Sequence, residues 1–160
     1  MIYLGSDHRG YEMKEKIKAW LRQHNRAFED MGPDHFDKDD DYPDFISKVG
    51  KAVSENPLEN IGIILGATGQ GEAIVANKYP GVRAIVYYGG PKNIVELGRI
   101  HNNANVLSIG FAPGNTMSER QEMSPDEVIE AIKLFMDTKF LNEERHVRRI
   151  GKITKIEDEH

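Results

Sequence analysis

The sequence contains no cysteine among its 160 residues. Disulfide bonds, thiolate zinc sites and cysteine nucleophiles are therefore excluded. It also lacks any apolar run near the roughly 20 residues that a membrane-spanning helix needs. The first ten residues, MIYLGSDHRG, do not combine a basic segment with an apolar one, so we expect a cytoplasmic protein without a secretory signal.

An excess of positive charge is missing as well. The chain has 21 basic and 26 acidic residues, for a net charge of -5. Such a surface has no general attraction for nucleic acid or for an anionic membrane, and we expect neither as a partner. Any anionic ligand must be held by a local arrangement of side chains and backbone groups.

Recognisable metal-binding patterns are absent too. The six histidines do not include an HExxH arrangement, and Asp39-Asp40-Asp41 lacks the glycine and distal glutamate of an EF-hand. We expect no metal site. The acidic stretch PDHFDKDDDYPD, residues 33–44, is interpreted as a solvated loop.

What the sequence does contain is a regular alternation of apolar patterns. Its length fits a single domain over residues 1–160. Short apolar runs typical of buried strands occur at 2–6, 26–32, 61–67, 82–88 and 105–110. Helical spacing of apolar residues separates these runs. The alternation predicts an α/β protein: a three-layer αβα sandwich around a five-stranded parallel sheet.

Two helices near the carboxyl terminus have clear signals. Ser124-Pro125-Asp126-Glu127 predicts a helix start with a capping box, in which Ser124 and Glu127 satisfy the first N–H groups. A further, extended helix is predicted over about 141–157. It carries basic residues and a row of isoleucines, so we expect it to pack on a partner subunit.

Ligands of open parallel sheets bind beyond the carboxyl ends of the strands. Asp7 and His8 follow the first predicted strand, and the segment Thr68–Glu72 follows the third. His101 and Asn102 end a helix instead, so the same rule does not place them at this edge. Asp7 is also suited to a turn or helix cap, and an isolated histidine is often a structural or surface residue.

The segment LGATGQGEAIVANK, residues 65–78, is the most informative. Glycines at 66, 69 and 71 leave backbone N–H groups uncovered at a helix start, where an anion can bind. The spacing matches neither a Walker loop nor GxGxxG, and a plain tight turn is the alternative. Glu72 alone would be an ordinary helix-end charge. Beside N–H donors it could act as a base next to a developing oxyanion.

Five blocks together resemble the family of ribose-5-phosphate isomerase B and galactose-6-phosphate isomerase, over nearly the whole chain. They are GSDHRGYEMK (5–14), DDDYPDF (39–45), GATGQGEAIVANKYPGVRA (66–84), RIHNNANVLSIG (99–110) and RHVRR (145–149). The resemblance implies a Rossmann-like αβα fold. It also implies a homodimer with shared active sites, with further pairing into tetramers left open, and no metal or organic cofactor.

The resemblance also implies roles for individual residues. Asp7 and His101 would open the sugar ring, and Tyr42 and Asn102 would line the pocket. The turn containing Thr68, Gly69, Gln70 and Gly71 would bind the substrate, with Thr68, Gly69 and Gly71 stabilising the enediolate. His8, Arg145 and Arg149 would contact phosphate, the arginines from the partner chain, although on residue type alone they also suit a solvated helix face.

The base is the point at which family members differ. Many carry a cysteine at the position of Gly66, whereas a second branch has a glutamate where this chain has Glu72. Glu72 is therefore expected to transfer the proton between C1 and C2. A common phosphate-binding arginine is replaced by Ala112, and Arg120 is the candidate substitute.

The expected activity is interconversion of ribose 5-phosphate and ribulose 5-phosphate, an intramolecular oxidoreduction. Isomerisation of another sugar, such as allose 6-phosphate, galactose 6-phosphate or a sugar without phosphate, is an alternative. A noncatalytic sugar-phosphate-binding module on the same scaffold is another, because a fold alone does not determine activity.

Overall fold

Five parallel strands form a single sheet in the computed structural model, which describes residues 1–111 and 122–159. The order across the sheet is β2-β1-β3-β5-β4. The strands are β1 (Ile2–Ser6), β2 (Phe28–Asp30), β3 (Ile61–Gly66), β4 (Ala84–Tyr87) and β5 (Val106–Gly110). The helices are α1 (Tyr11–Gln23), α2 (Tyr42–Glu55), α3 (Gln70–Ala76), α4 (Asn93–Asn102), α5 (Pro125–Asp137) and α6 (Glu144–Asp158).

The central strands are apolar on both faces because helices cover both sides of the sheet. Ile63 points into one core, which α1 and α5 complete with Ile17 and Phe135. Its neighbour Ile64 points into the other, which α2 and α3 complete with Val49 and Ala76. The predicted αβα sandwich with a five-stranded parallel sheet is confirmed.

Several boundaries differ from the sequence prediction. The segment predicted as an acidic loop over 33–44 ends at Asp41, because α2 begins at Tyr42 and accommodates Pro43 in its first turn. Helix α3 begins at Gln70, so Gly71 and Glu72 belong to its first turn. The capping box of α5 is formed as predicted, between Ser124 and Glu127.

The last helix is long and largely exposed. α6 begins at Glu144, a little later than expected. Its side chains Val147, Ile153 and Ile156 are exposed in the single chain. Across the two described ranges, no helix combines the length and apolar character that crossing a bilayer requires. Ala112 and Arg120 lie outside the described residues.

Candidate active site

The turns that follow β1 and β3 lie side by side at the carboxyl edge of the sheet. The two strands are hydrogen-bonded in parallel register, with Ser6 opposite Leu65. The turn after β1 approaches β3 so closely that a Cβ on Gly10 would lie 2.8 Å from the carbonyl oxygen of Leu65. This close approach requires glycine at position 10. It also brings Asp7 beside the glycine-rich segment after β3.

Glu72 is buried at this edge, with only 5% of its surface exposed. Its carboxylate lies against Gly66, where a Cβ would overlap the carboxylate oxygens. It forms no salt bridge with a basic residue in the described part of the chain. Burial raises the pKa of Glu72, and the negative charge of Asp7 raises it further. A carboxylate that binds protons more tightly in this way is a stronger base.

Asp7 closes a turn, which is one of the two uses that its position suggested. Its Oδ1 accepts a hydrogen bond from the backbone N–H of Gly10 at 3.0 Å, which closes the turn into α1. The residue is 8% exposed. Burial raises the pKa of Asp7, as does the charge of Asp40, while the Gly10 hydrogen bond opposes the shift. Asp7 and Glu72 therefore form a pair of buried acidic groups near each other.

The turn from Thr68 to Gly71 packs against the end of β5. Gly69 has φ +73°, a left-handed conformation that favours glycine, and its carbonyl oxygen accepts a hydrogen bond from Ser108 Oγ at 2.6 Å. Thr68 Oγ1 accepts from the N–H of Gln70 at 3.3 Å. Within the described ranges, the N–H groups of Gly69 and Gly71 have no acceptor. These two donors are available to a substrate oxygen.

Tyr42 joins the same group from the start of α2. A Cβ on Gly71 would lie 2.9 Å from Tyr42 Cζ and 3.0 Å from its hydroxyl oxygen. The tyrosine is half-buried. The absence of a side chain at position 71 therefore lets the phenol ring pack directly on the first turn of α3, next to Glu72.

His8 extends this group toward solvent. Its Nδ1 lies 2.6 Å from Asp40 Oδ1, and its ring borders a cavity of about 600 Å³ between α1, the loop after β2 and the segment before α5. The interpretation of residues 33–44 as a solvated loop is wrong for Asp40, whose side chain is only 6% exposed. The neighbouring Asp39 does face solvent.

These residues are named the carboxyl-edge group, and their members are Asp7, His8, Tyr42, Thr68, Gly69, Gln70, Gly71 and Glu72. The remaining predicted site residues lie elsewhere. Helix α4 runs from the carboxyl end of β4 to the amino end of β5, so its last residues lie at the amino edge of the sheet. Arg83, which precedes β4, donates to the carbonyl oxygen of Asn102 at 3.0 Å and confirms this placement.

His101 and the arginines of α6 are close to each other. The ring of His101 stacks on that of His146 with a centroid distance of 4.5 Å and an interplanar angle of 16°. Arg145 is the next residue to His146, and both Arg145 and Arg149 are exposed. His101, Asn102, Arg145 and Arg149 are therefore named the amino-edge group. The five residues of β5, at about 3.3 Å each, span about 16 Å between the two edges of the sheet.

His146 is a residue to which the sequence analysis assigned no role. Its side chain is buried, its Nε2 has no hydrogen-bond partner in the described structure, and burial lowers its pKa, with His101 adding to the effect. The charged neighbours Arg145 and Arg148 predict that this histidine lies on an exposed helix face. Its burial is due to the contact with His101 of α4, which the sequence pattern does not indicate.

The described residues contain no cluster of three or more histidine, aspartate or glutamate side chains that could hold a metal ion. What the carboxyl-edge group offers instead is a buried carboxylate base, a second carboxyl group and two free N–H donors. This combination suits removal of a proton beside a carbonyl group, with stabilisation of the resulting oxyanion.

Comparison with known proteins identifies the family of the chain. The family described as Ribose/Galactose Isomerase matches residues 2–153. Ribose-5-phosphate isomerase B of Mycolicibacterium paratuberculosis is 35% identical over 159 residues, which are 99% of this chain and 92% of the relative.

Solved structures are similar over the same length. Ribose-5-phosphate isomerase B from Mycoplasma genitalium, crystallised with bound ribulose-5-phosphate, has a TM-score of 0.87 and 34% identity, covering 99% of this chain and 97% of that one. The isomerase B from Clostridium thermocellum has a TM-score of 0.83 and 34% identity, with the same coverage. From the family match over residues 2–153 and these relatives, the chain belongs to the Ribose/Galactose Isomerase family.

Proposed function

We propose that the protein is an aldose-ketose isomerase that interconverts ribose 5-phosphate and ribulose 5-phosphate. The observation that carries the proposal is the burial of the Glu72 carboxylate against Gly66, after a turn whose Gly69 and Gly71 N–H groups have no acceptor among the described residues. The ribulose-5-phosphate bound to the M. genitalium relative supports the choice of substrate.

The proposed reaction starts with opening of the sugar ring. Glu72 then removes the proton from C2 of the aldose, and the electrons move onto the C1 carbonyl oxygen, which gives an enediolate. The N–H groups of Gly69 and Gly71 stabilise its negative charge. Glu72 returns the proton to C1, while Thr68 assists the movement of a hydroxyl proton from O2 to O1. The step needs no external oxidant, because C1 is reduced as C2 is oxidised.

The active site is proposed to form between two chains. The carboxyl-edge and amino-edge groups lie at opposite ends of β5, so one chain cannot bring Glu72 and His101 to the same small sugar. A second copy can. In a twofold dimer the same surface of each chain contacts the other, and an axis perpendicular to a strand reverses that strand. Such an axis would place the carboxyl edge of one subunit against the amino edge of its partner.

Strand β4 has the properties that this contact requires. It is an edge strand, and Ala84, Ile85 and Val86 are only half-buried. A cavity on one side is lined by Ile74, Val86 and Gln70, and a cavity on the other by Ile94, Leu97 and His101. Ile74, Ile94 and Leu97 are exposed in the single chain. An apolar surface that touches both groups of site residues is the surface by which we propose that the subunits pair.

Two readings compete with this function on the same scaffold. A different sugar would be processed by the same base, and a noncatalytic module would bind without reaction. Incubation with ribose 5-phosphate in deuterated water distinguishes the proposed isomerase from a binding module, because the isomerase incorporates deuterium at C1 or C2 and the module does not. A panel of five- and six-carbon aldoses, with and without phosphate, identifies the sugar. Pairing of dimers into tetramers and a cytoplasmic location remain predictions.

A further inference from the structure

Asp40 makes an unusual pair of contacts with one residue. Its Oδ1 accepts from the backbone N–H of His8 at 3.0 Å and lies 2.6 Å from Nδ1 of the same histidine. Its Oδ2 is buried and has no hydrogen-bond partner among the described residues. The two residues are 32 positions apart in the sequence. The contact therefore joins the loop after β2 to the turn after β1.

The chemistry of the pair determines how the imidazole is used. An ionised carboxylate has no hydrogen to donate, so Nδ1 of His8 must carry the proton in this hydrogen bond. Nε2, on the other side of the ring, has no partner in the described structure, and the ring borders the 600 Å³ cavity, whose wall also carries Arg9 and Lys16. Rotation of the ring would break the Nδ1 bond, so Nε2 is the atom left for a ligand.

We propose that Asp40 is a positioning residue that orients His8 toward the anionic end of the substrate. This inference depends on the proposed function, in which that end is a phosphate. A phosphate oxygen accepts a hydrogen bond, so Nε2 must carry a proton to donate to it. Because Nδ1 already carries the proton donated to Asp40, the ring is then an imidazolium whose positive charge is paired with the Asp40 carboxylate. Asp40 itself remains out of contact with the sugar and acts through His8.

The same contact organises a second part of the site. Asp40 lies two residues before Tyr42, whose ring packs on Gly71. Its attachment to His8 therefore ties the start of α2 to the turn that carries Asp7. The charge of Asp40 is also one of the causes of the raised pKa of Asp7. One carboxylate thus links three members of the carboxyl-edge group.

The kinetic test uses Asp40→Asn, with Asp39→Asn as the matched control. Both substitutions remove one negative charge from the same loop, but Asp39 is exposed. Loss of a charge-assisted hydrogen bond that orients His8 should raise KM for ribose 5-phosphate by about tenfold, with a smaller change in kcat. Asp39→Asn should leave both constants unchanged. In a His8→Asn background, Asp40→Asn should have little further effect, because residues that act through each other are not additive.

The proposal is overturned if Asp40→Asn behaves like Asp39→Asn, or if its effect on KM is as large without His8 as with it. A second measurement needs no turnover. Nitrogen-15 NMR of the wild-type protein should show the His8 proton on Nδ1, and Asp40→Asn should shift the ring toward the Nε2–H form. A wild-type ring protonated on Nε2 alone overturns the proposal even if Asp40→Asn does not fold. If the wild-type protein fails to isomerise ribose 5-phosphate, the proposed function is wrong, while NMR still decides the role of Asp40.

Discussion

The carboxylate of Glu72 occupies the space that a side chain on Gly66 would fill. The resemblance that predicts Glu72 as the base implies that many family members carry a cysteine at the position of Gly66 instead. Here a carboxylate six residues further along the chain, on the first turn of α3, reaches the same end of β3. Glycine at 66 and glutamate at 72 therefore form one structural unit, since a larger residue at 66 would displace the glutamate.

Glu72→Gln tests the role of the base directly. The substitution preserves the size of the side chain but leaves no group that can accept the proton, so we expect a folded protein with kcat reduced by about 10² to 10⁴-fold. The conversion of ribose 5-phosphate should be measured beside Glu55→Gln, the same chemical change at an exposed residue that ends α2. Near wild-type turnover of purified Glu72→Gln would show that another group is the base.

Gly66→Ala tests the steric relationship. The new methyl group overlaps the Glu72 carboxylate, so we expect a loss of about 1–3 kcal/mol in the free energy of unfolding. Displacement of the base should also lower kcat by about a hundredfold. In a Glu72→Ala background the same methyl group has room, and its cost in stability should largely disappear. An equal cost of Gly66→Ala in both backgrounds, measured by denaturant unfolding, would contradict the contact.

Because its pKa is raised, ionisation of Glu72 should lower the free energy of unfolding as the pH rises. Burial places its folded-state pKa above the ordinary value of 4.5, so the folded protein binds this proton more tightly than the unfolded chain does. The stability that Glu72 contributes is therefore complete below pH 4.5 and is lost as the pH rises through the folded-state pKa. Since glutamine stays neutral, Glu72→Gln should be more stable than the wild type at neutral pH.

Thermal unfolding of the two proteins over a range of pH measures this difference. The advantage of Glu72→Gln should decrease as the pH falls and Glu72 becomes protonated in the wild type. Asp7 also has a raised pKa, but it is present in both proteins. A wild type that is more stable than Glu72→Gln at neutral pH would mean that the carboxylate is stabilised by its surroundings, contrary to its burial.

The parts of the site that sequence analysis placed correctly are those that follow from strand order and local chemistry. Asp7 and Glu72 come together because each follows the end of a buried strand, and these strands are neighbours. The Ser124 capping box forms because both partners lie within one helical turn. Such relationships depend on residues that are close in the chain or on a general rule of parallel sheets.

The parts that were missed depend on contacts between distant segments. Asp40 lies in an acidic stretch whose composition is typical of a solvated loop, and only its contact with His8, 32 residues away, explains its burial. His146 is surrounded by charged neighbours and is buried only because α6 crosses α4. The placement of His101 could have been predicted, since a helix that leads into a parallel strand must end at the amino edge.

The separation of Glu72 from His101 leads to a test by mixing inactive variants. If each site takes Glu72 from one subunit and His101 from the other, then a dimer of Glu72→Gln with His101→Ala has both changes in one site and none in the other. Random pairing makes half of the dimers mixed, and half of their sites are intact, so about a quarter of wild-type activity should return. Unfolding and refolding the two inactive proteins together, at equal concentration, allows this exchange.

Glu72→Gln mixed with Asp7→Asn is the matched control, because both residues belong to the carboxyl-edge group. Every site in that mixture lacks one of them, so no activity should return. Activity that returns in both mixtures would indicate contaminating wild-type enzyme, whereas none in either, with mixed dimers shown by mass spectrometry, would rule out a site shared in this way. Recovery only with His101→Ala requires a second chain to complete the site, since the whole length of β5 lies between the two groups within one chain.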